Sequence, residues 1–355
     1  MDARAGLAGW PWMEAVPANT PVTWIWARRR TTARQHTDFD TRQLAKVTVI
    51  WHDAGADAPV TTGTALVTWS PSEATRPLRS VLVPGHCWGH LRSMSVETVL
   101  VTGASSGIGR ELARCFAADG CRLILVARKR QALQALADEL REAHKTLSEV
   151  FPADLSQPGA PARIFEHFQV NGTKVDVLIN NAGFGAVGAF AELTVERQLE
   201  MVQVNVTAVT HLTRLLLPGM IERHRGGILN VASTAGFAPG PGMAVYYATK
   251  AFLLSFSEAI AEELAGTGVT VTALCPGPTE TNFAEAANAR TSRLFAKAAM
   301  SAESVAWVGH DAFRKGRVVA IAGFRNQLLA FSVRLAPRFV VRKIAKRLNA
   351  ASHPQ

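Results

Sequence analysis

The sequence predicts an α/β fold, a doubly wound parallel sheet of Rossmann type in a single domain, followed by a basic amphipathic helical tail. Three observations carry that prediction. Apolar, β-branched runs alternate with helical stretches from Val96 to Ile321. A glycine-rich turn follows the first of these runs and opens the first helix. The chemically distinctive residues all fall at the carboxyl ends of predicted strands, where ligands lie on such sheets.

Taken in order, residues 98–101 form an apolar run expected to be a buried parallel strand. The turn 102–109 (TGASSGIG) leads into a helix over 110–119, and 122–127 is the next strand. A helix over 131–145, a short strand at 149–151 and a helix over 160–168 follow. Residues 175–179 form a strand that ends in Asn180-Asn181-Ala182-Gly183, and 195–220 reads as one long helix. The strand 227–232, the helix 244–265 and the strand 269–274 complete the alternation. Residues 282–300 are Ala-rich and read as a helical lid, with Phe283, Leu294 and Phe295 as apolar contacts.

The chain has 355 residues and a formal charge of +10, which taken alone suggests an anionic partner. Its distribution says otherwise. Residues 1–93 hold +3, residues 94–310 hold −2, and residues 311–355 hold +9. Nucleic-acid binding over the whole surface is therefore not supported, and no nucleic-acid motif is present. Four cysteines without a CxxC pair argue against a disulfide scaffold or a zinc ribbon, and a reducing, cytoplasmic setting is expected. No run of ~20 apolar residues lacks charge, so no transmembrane helix is expected.

The first 93 residues are a different kind of sequence, with seven of the eight tryptophans, one Phe and no Tyr. Their best strand-like stretch is 46–51. The apolar run 22–27 is short and ends in Arg28-Arg29-Arg30, which fits neither a secretory nor a twin-arginine signal. Two readings stay open: a poorly structured extension, or residues upstream of a true start at Met94. The second is favoured because Met94-Ser95 leads directly into a strand. The expected domains are 1–93, 94–321 and the tail 322–355.

A strand, a glycine-rich turn and a helix together cradle a pyrophosphate: glycines allow close backbone approach, and the helix N-terminus presents free N–H groups. Gly103, Ser105, Ser106, Gly107, Ile108 and Gly109 are the candidates. A glycine triplet alone could be a plain tight turn; its place between strand and helix favours the anion site. Arg128 lies 19 residues beyond Gly109 with no acidic neighbour. A carboxylate there would hold a ribose hydroxyl, whereas a guanidinium binds a 2′-phosphate through paired hydrogen bonds. The expected cofactor is NADP(H), with Arg128 the main contact and Lys129 or Ser105 secondary; the alternative is a solvated basic turn.

These motifs, together with Asn205, Ser233, Tyr246-x-x-x-Lys250, Pro276-Gly277 and Thr281, resemble those of the short-chain dehydrogenase/reductase family over about 94–320. Ser233 stands 13 residues before Tyr246, the family's usual spacing. The resemblance implies Tyr246 as acid/base and Lys250 as the group that tunes it and holds the nicotinamide ribose. It implies Ser233 on the substrate oxygen and Asn205 positioning a water for proton relay. Asp154 and Leu155 would meet adenine, Asn181, Ala182 and Gly183 the adenosine ribose, and Thr279 to Thr281 the carboxamide. Asp154 could equally cap the following helix, and Asn205 could be a plain helix-interior residue. The chemistry fits these residue types. Carbonyl reduction needs a proton for oxygen, a phenol near pKa 10 is a poor shuttle at neutral pH, and a nearby ammonium favours phenolate.

Tyr247 and Thr234 are decoys, one residue off the spacing. His144, His167, His211 and His224 lack metal-like spacing, Cys115 and Cys121 read as buried apolar fillers, and no metal site is expected. The run 276–283 (PGPTETNF) and the basic tail look like the bacterial branch near acyl and steroid ketone reductases. That likeness implies a hydrophobic ketone or secondary alcohol as substrate, and a homo-oligomer. In the tail, residues 324–349 interleave apolar and basic residues, and Pro337 should divide them into two helices. A basic amphipathic segment suggests peripheral contact with a membrane surface; the alternative is packing on the domain. The rival to the enzyme is a catalytically silent dinucleotide-binding or scaffold protein with a membrane-associating tail. Ser233 and Asn205 favour the enzyme, since cofactor binding alone requires neither.

Overall fold

A computed structural model describes residues 96–281 and 299–349, together with the backbone of three strands nearer the N-terminus. The chain divides into two compact units, Met1–Arg92 and Ser93–Gln355. In the first, β1 (Ile25–Trp26) pairs antiparallel with β2 (Gln43–Trp51), which pairs antiparallel with β3 (Thr61–Trp69), Gln43 opposite Trp69. The stretch 46–51 falls inside β2, while β3 (TTGTALVTW) was not anticipated from the sequence.

The second unit is a seven-stranded sheet whose ladder pairs are all parallel. Its strands are β4 (Thr98–Thr102), β5 (Arg122–Ala127), β6 (Ser148–Pro152), β7 (Val177–Asn180), β8 (Gly226–Val231), β9 (Val269–Cys275) and β12 (Val319–Ile321). The order across the sheet is β12-β9-β8-β7-β4-β5-β6. A parallel strand is covered on both faces, which is why β4 is wholly buried and apolar from Val99 to Val101.

Alternate residues feed two cores. Val99 and Val101 face α1 (Gly107–Ala118), α2 (Arg130–His144) and α7 (Ala302–Arg314), packing with Phe116, Leu133 and Phe313. Leu100 and Leu178 face α3 (Ala160–Val170), α5 (Ala208–Glu222) and α6 (Ala244–Glu263), packing with Ile164, Leu212 and Ile260. The chain runs outward in opposite directions from β4 and β7, so a crevice opens above their carboxyl ends.

Three boundaries differ from expectation in ways that bear on the site. The first helix starts at Gly107 rather than 110, because the glycine turn itself enters helical geometry. The long helix 195–220 is α4 (Val195–Val202), a π turn (Gln203–Thr207) and α5, with Asn205 inside the π turn. Met300, read as the end of a lid helix, instead pairs through β11 (Met300–Ser301) with β10 (Thr279–Glu280); residues 282–298 lie outside the described residues. The tail forms α8 (Phe324–Leu335) and α9 (Arg338–Asn349). They part at Pro337, before which Ala336 is extended, as a residue preceding proline prefers.

Candidate active site

Above β4 and β7 lies a cleft of about 680 Å³, within the range of ligand sites. Apart from Gly109 and Asn205, every site residue expected from the sequence lines it. Those two lie behind it. Gly109 is buried in the first turn of α1, and Asn205 is 0% exposed.

At one end the glycine turn brings bare backbone to the cleft. Gly103 and Gly107 have φ of +66° and +56°, where an L side chain is strained. A Cβ on Gly103 would stand 2.7 Å from Asn181 Nδ2, and one on Gly107 2.9 Å from Thr281 Cγ2. The side chain of Ser106, the N-cap of α1, makes no capping hydrogen bond, so the first-turn amides are left to face the cleft. The turn is held from behind. Asn181 Nδ2 donates to Thr102 O (2.9 Å) and Gly103 O (3.1 Å). Thr102 Oγ1 accepts from Asn181 N (3.0 Å) and Ala182 N (3.1 Å) and donates to Ile179 O (3.1 Å).

Beside the turn, Arg128 and Lys129 are exposed where β5 gives way to α2, and Arg128 has no carboxylate partner among the described residues. Asp154 does not cap α3, whose N-cap is Gly159; its Oδ1 accepts from Ser156 N at 3.0 Å in a local turn. Open helix-end amides, side-chain-free backbone and an unpaired guanidinium together fit a dinucleotide that carries a 2′-phosphate.

At the other end, Ser233 follows β8, and Tyr246 and Lys250 lie one turn apart on α6. Ser233 Oγ donates to Pro276 O (3.3 Å), accepts from Ala235 N (3.1 Å) and shares a hydrogen bond with Tyr246. Tyr246 is 9% exposed and Lys250 5%. Lys250 Nζ donates to Val231 O at 2.7 Å and stands 5.8 Å from the centre of the Tyr246 ring.

Burial dominates both groups. It pushes the Tyr246 phenol above its ordinary value, with the Ser233 hydrogen bond pulling partly back, and it pushes Lys250 down to about 8. Here the structure departs from the sequence expectation of a phenol lowered by its neighbour. The Lys250 ammonium is turned to the Val231 carbonyl, and burial is the leading cause of the rise at Tyr246. Burial thus favours the uncharged form of both groups.

Asn205 holds the wall between the two ends. Its Oδ1 accepts from Phe184 N (3.1 Å), and its Nδ2 donates to Phe184 O (2.9 Å) and Thr249 Oγ1 (3.0 Å). Thr249 Oγ1 in turn donates to Tyr246 O (2.7 Å). π turns recur at functional sites, and this one brings a wholly buried amide against the loop after β7.

Sequence reasoning missed the apolar surroundings of Tyr246: Phe184, Met243 and Tyr247 pack with it, and all three line the cleft. It also missed Asn349, at the end of α9, which is 5% exposed. Asn349 Oδ1 accepts from Tyr247 Oη (3.0 Å), and its Nδ2 donates to Pro241 O (3.1 Å). No local signal marks a partner 102 residues away. Among the described residues no group of three or more His, Cys, Asp or Glu could hold a metal, and no helix is long and apolar enough to cross a membrane.

A doubly wound sheet with a glycine turn at its switch point and a Ser–Tyr–Lys group across the crevice defines a dinucleotide-dependent oxidoreductase. The chain belongs to the short-chain dehydrogenase family: the family model described as short chain dehydrogenase matches residues 97–292. It is 39% identical over 180 residues to the NADP-dependent 3-hydroxy acid dehydrogenase YdfG of Salmonella typhimurium, covering 50% of this chain and 71% of that one. A short-chain dehydrogenase from Sphingobium yanoikuyae, solved in complex with NADPH, is similar at TM-score 0.62 and 33% identity, over 67% of this chain and 94% of that one. The bulky-bulky ketone specific alcohol dehydrogenase from Comamonas testosteroni is similar at TM-score 0.59 and 32% identity, over 68% and 92%.

Proposed function

We propose that the protein interconverts a hydrophobic ketone and its secondary alcohol with NADP(H), using Tyr246 as the acid/base. The observation that carries this reading is a buried phenol, hydrogen-bonded to Ser233 and one turn from a buried ammonium, in the same cleft as the glycine turn and Arg128. Gly103, Ser105 to Gly109 and the α1 amides would hold the pyrophosphate, Arg128 and Lys129 the 2′-phosphate, and Asp154 and Leu155 the adenine. Asn181 to Gly183 and Lys250 would hold the two riboses, and Pro276, Gly277, Thr279 and Thr281 the carboxamide. The NADPH complex of the Sphingobium relative supports that choice of cofactor. The chemistry the cofactor supplies when bound is a hydride for the carbonyl carbon.

The chain's own residues handle the oxygen. Ser233 Oγ hydrogen-bonds the carbonyl oxygen, and Tyr246 delivers its phenolic proton there as the π pair of the C=O bond moves onto the oxygen. The resulting phenolate sits beside the Lys250 ammonium, which stabilises it until solvent restores the proton. Asn205 secures the route for that proton by fixing the Phe184 backbone and, through Thr249, the turn of α6 that carries Tyr246.

The substrate class rests on Phe184, Met243 and Tyr247 around the phenol and on the bulky-ketone relative. The one carboxylate of the lining at that end, Glu200, is paired with Arg197. The test is NADPH oxidation with long-chain and cyclic ketones. Tyr246→Phe should lose at least about a hundredfold in kcat, the usual scale of a positioned proton donor, with NADPH binding retained. Equal rates for the two proteins refute the catalytic assignment and leave the non-catalytic dinucleotide-binding reading. Peripheral contact of the C-terminal helices with a membrane is the second part of the proposal, and exposed Val195 and Leu199 on α4 support a homo-oligomer.

A further inference from the structure

Helix α8 is packed the wrong way round for a helix facing water. Its small residue Ala330 is buried and Asn326 is half-buried with a hydrogen bond to Ala322 O, while its large apolar residues point away from the domain. Phe324, Leu328, Phe331 and Leu335 are 77%, 59%, 61% and 74% exposed. At i, i+4, i+7 and i+11 they share one stripe about 60° wide at 3.6 residues per turn, opposite the packed face. Arg325 and Arg334 flank the stripe at roughly 80–100° on either side. Helix α9 repeats the arrangement: Val341, Ala345 and Asn349 pack inward, and Phe339, Ile344 and Leu348 remain exposed. Together α8 and α9 carry seven Arg or Lys and no Asp or Glu.

We infer that the outer face of α8, continued by α9, is a docking surface for an anionic lipid bilayer. The inference rests on the peripheral-contact reading and names its surface and its lipid. Charge selects the occupant. A second copy seated on the same face would set seven cations against seven with no acid between them, whereas an anionic headgroup layer complements them all. The geometry agrees, since a stripe of Phe and Leu enters the headgroup–acyl boundary while flanking arginines extend to the phosphates. Asn349 anchors the far end of α9 beside Tyr247, so the docking face and the substrate end of the cleft belong to one packed body.

The test is co-sedimentation of the full-length protein with vesicles of pure phosphatidylcholine and of phosphatidylcholine with one-quarter phosphatidylglycerol, in the absence of cofactor and ketone. Binding to the anionic vesicles, none to the neutral ones, and at least about tenfold weaker partition for Phe324→Ser/Phe331→Ser and for Arg325→Glu/Arg334→Glu are expected. Both double variants change exposed side chains, and an unchanged melting curve and NADPH-oxidation rate certify their fold. Wild-type-like binding by both variants overturns this surface while leaving membrane contact by the tail standing. No binding by the wild type overturns both, and neither result touches the reductase reading. A wild-type dimer in light scattering that Phe324→Ser/Phe331→Ser converts to monomer, without vesicle binding, identifies the occupant as a second copy and overturns the inference.

Discussion

Replacing Asn349 with alanine measures how far the terminal helix belongs to the active site. The carboxamide is buried, accepts one hydrogen bond from Tyr247 and donates one to Pro241 O, at 3.0 and 3.1 Å. Alanine removes both and leaves two half-buried partners without them. At about 1 kcal/mol for each neutral hydrogen bond, plus part of the penalty for stranded partners, the loss is about 2–3 kcal/mol. Tyr247→Phe removes only one of the two, about 1 kcal/mol. Because the substitutions share a bond, the double mutant should show a coupling of about 1 kcal/mol. Hydrogen exchange of the α9 amides, which reports local opening, is the direct assay. A local loss of about 2 kcal/mol speeds that exchange roughly 30-fold. In kinetics, the KM for ketone should rise with kcat little changed, since Tyr247 borders the cleft while Ser233, Tyr246 and Lys250 stay in place. Unchanged α9 exchange, or additivity within about 0.5 kcal/mol, refutes the reasoning.

Other outcomes follow from the same geometry. Lys250, held down at about 8 by burial, is charged at pH 7 and loses its proton as pH rises through that value, whereas the raised Tyr246 stays protonated. The kcat/KM for NADPH, which reports groups of the free enzyme, should therefore fall above about pH 8. Lys250→Arg, which cannot deprotonate, should remove that limb; a wild-type profile flat to about pH 9.5 contradicts the assignment. Arg128→Asp should cut the NADPH-over-NADH preference by about a hundredfold, two charge-assisted hydrogen bonds being exchanged for repulsion; a ratio of kcat/KM values that does not move clears Arg128 of the role. Gly103→Ala forces a side chain into a left-handed φ and against Asn181, so it should lower the melting temperature and weaken NADPH binding in a fluorescence titration; wild-type affinity would be incompatible with a backbone cradle there.

Local chemistry was legible in the sequence and long-range packing was not. The glycine turn, the basic pair after β5 and the Ser–Tyr–Lys spacing are each written within a few residues, and the cleft collects them. Asn205 was legible as a residue but not as part of a π turn, because widening one helical turn leaves no mark in composition. The direction of the Tyr246 shift was missed for a related reason: spacing reveals a neighbour four residues away but not the loss of water around both groups. Pro337 marks the break in the tail, yet only packing decides that Ala330, Val341 and Ala345 turn inward while Phe324 and Phe331 turn out. Thr102, Thr249 and Asn349 carried no signal, since their partners lie tens of residues away.

Thr102 gives that last point a practical edge. Its single hydroxyl oxygen receives two backbone amides from the segment just after β7 and gives its hydrogen to Ile179 O within β7. The adenine-side strands β5 and β6 flank β4 on one side, and the catalytic strands β7 and β8 on the other. One atom thus acts as a ruler across the seam of the protein, setting the height of the phosphate turn relative to the reacting end. Recoding the cofactor at Arg128 or the substrate at Met243 leaves that gauge untouched. Thr102→Val, which keeps the volume and deletes only the oxygen, would leave Asn181 Nδ2 and the β4–β7 ladder to hold the two halves in register.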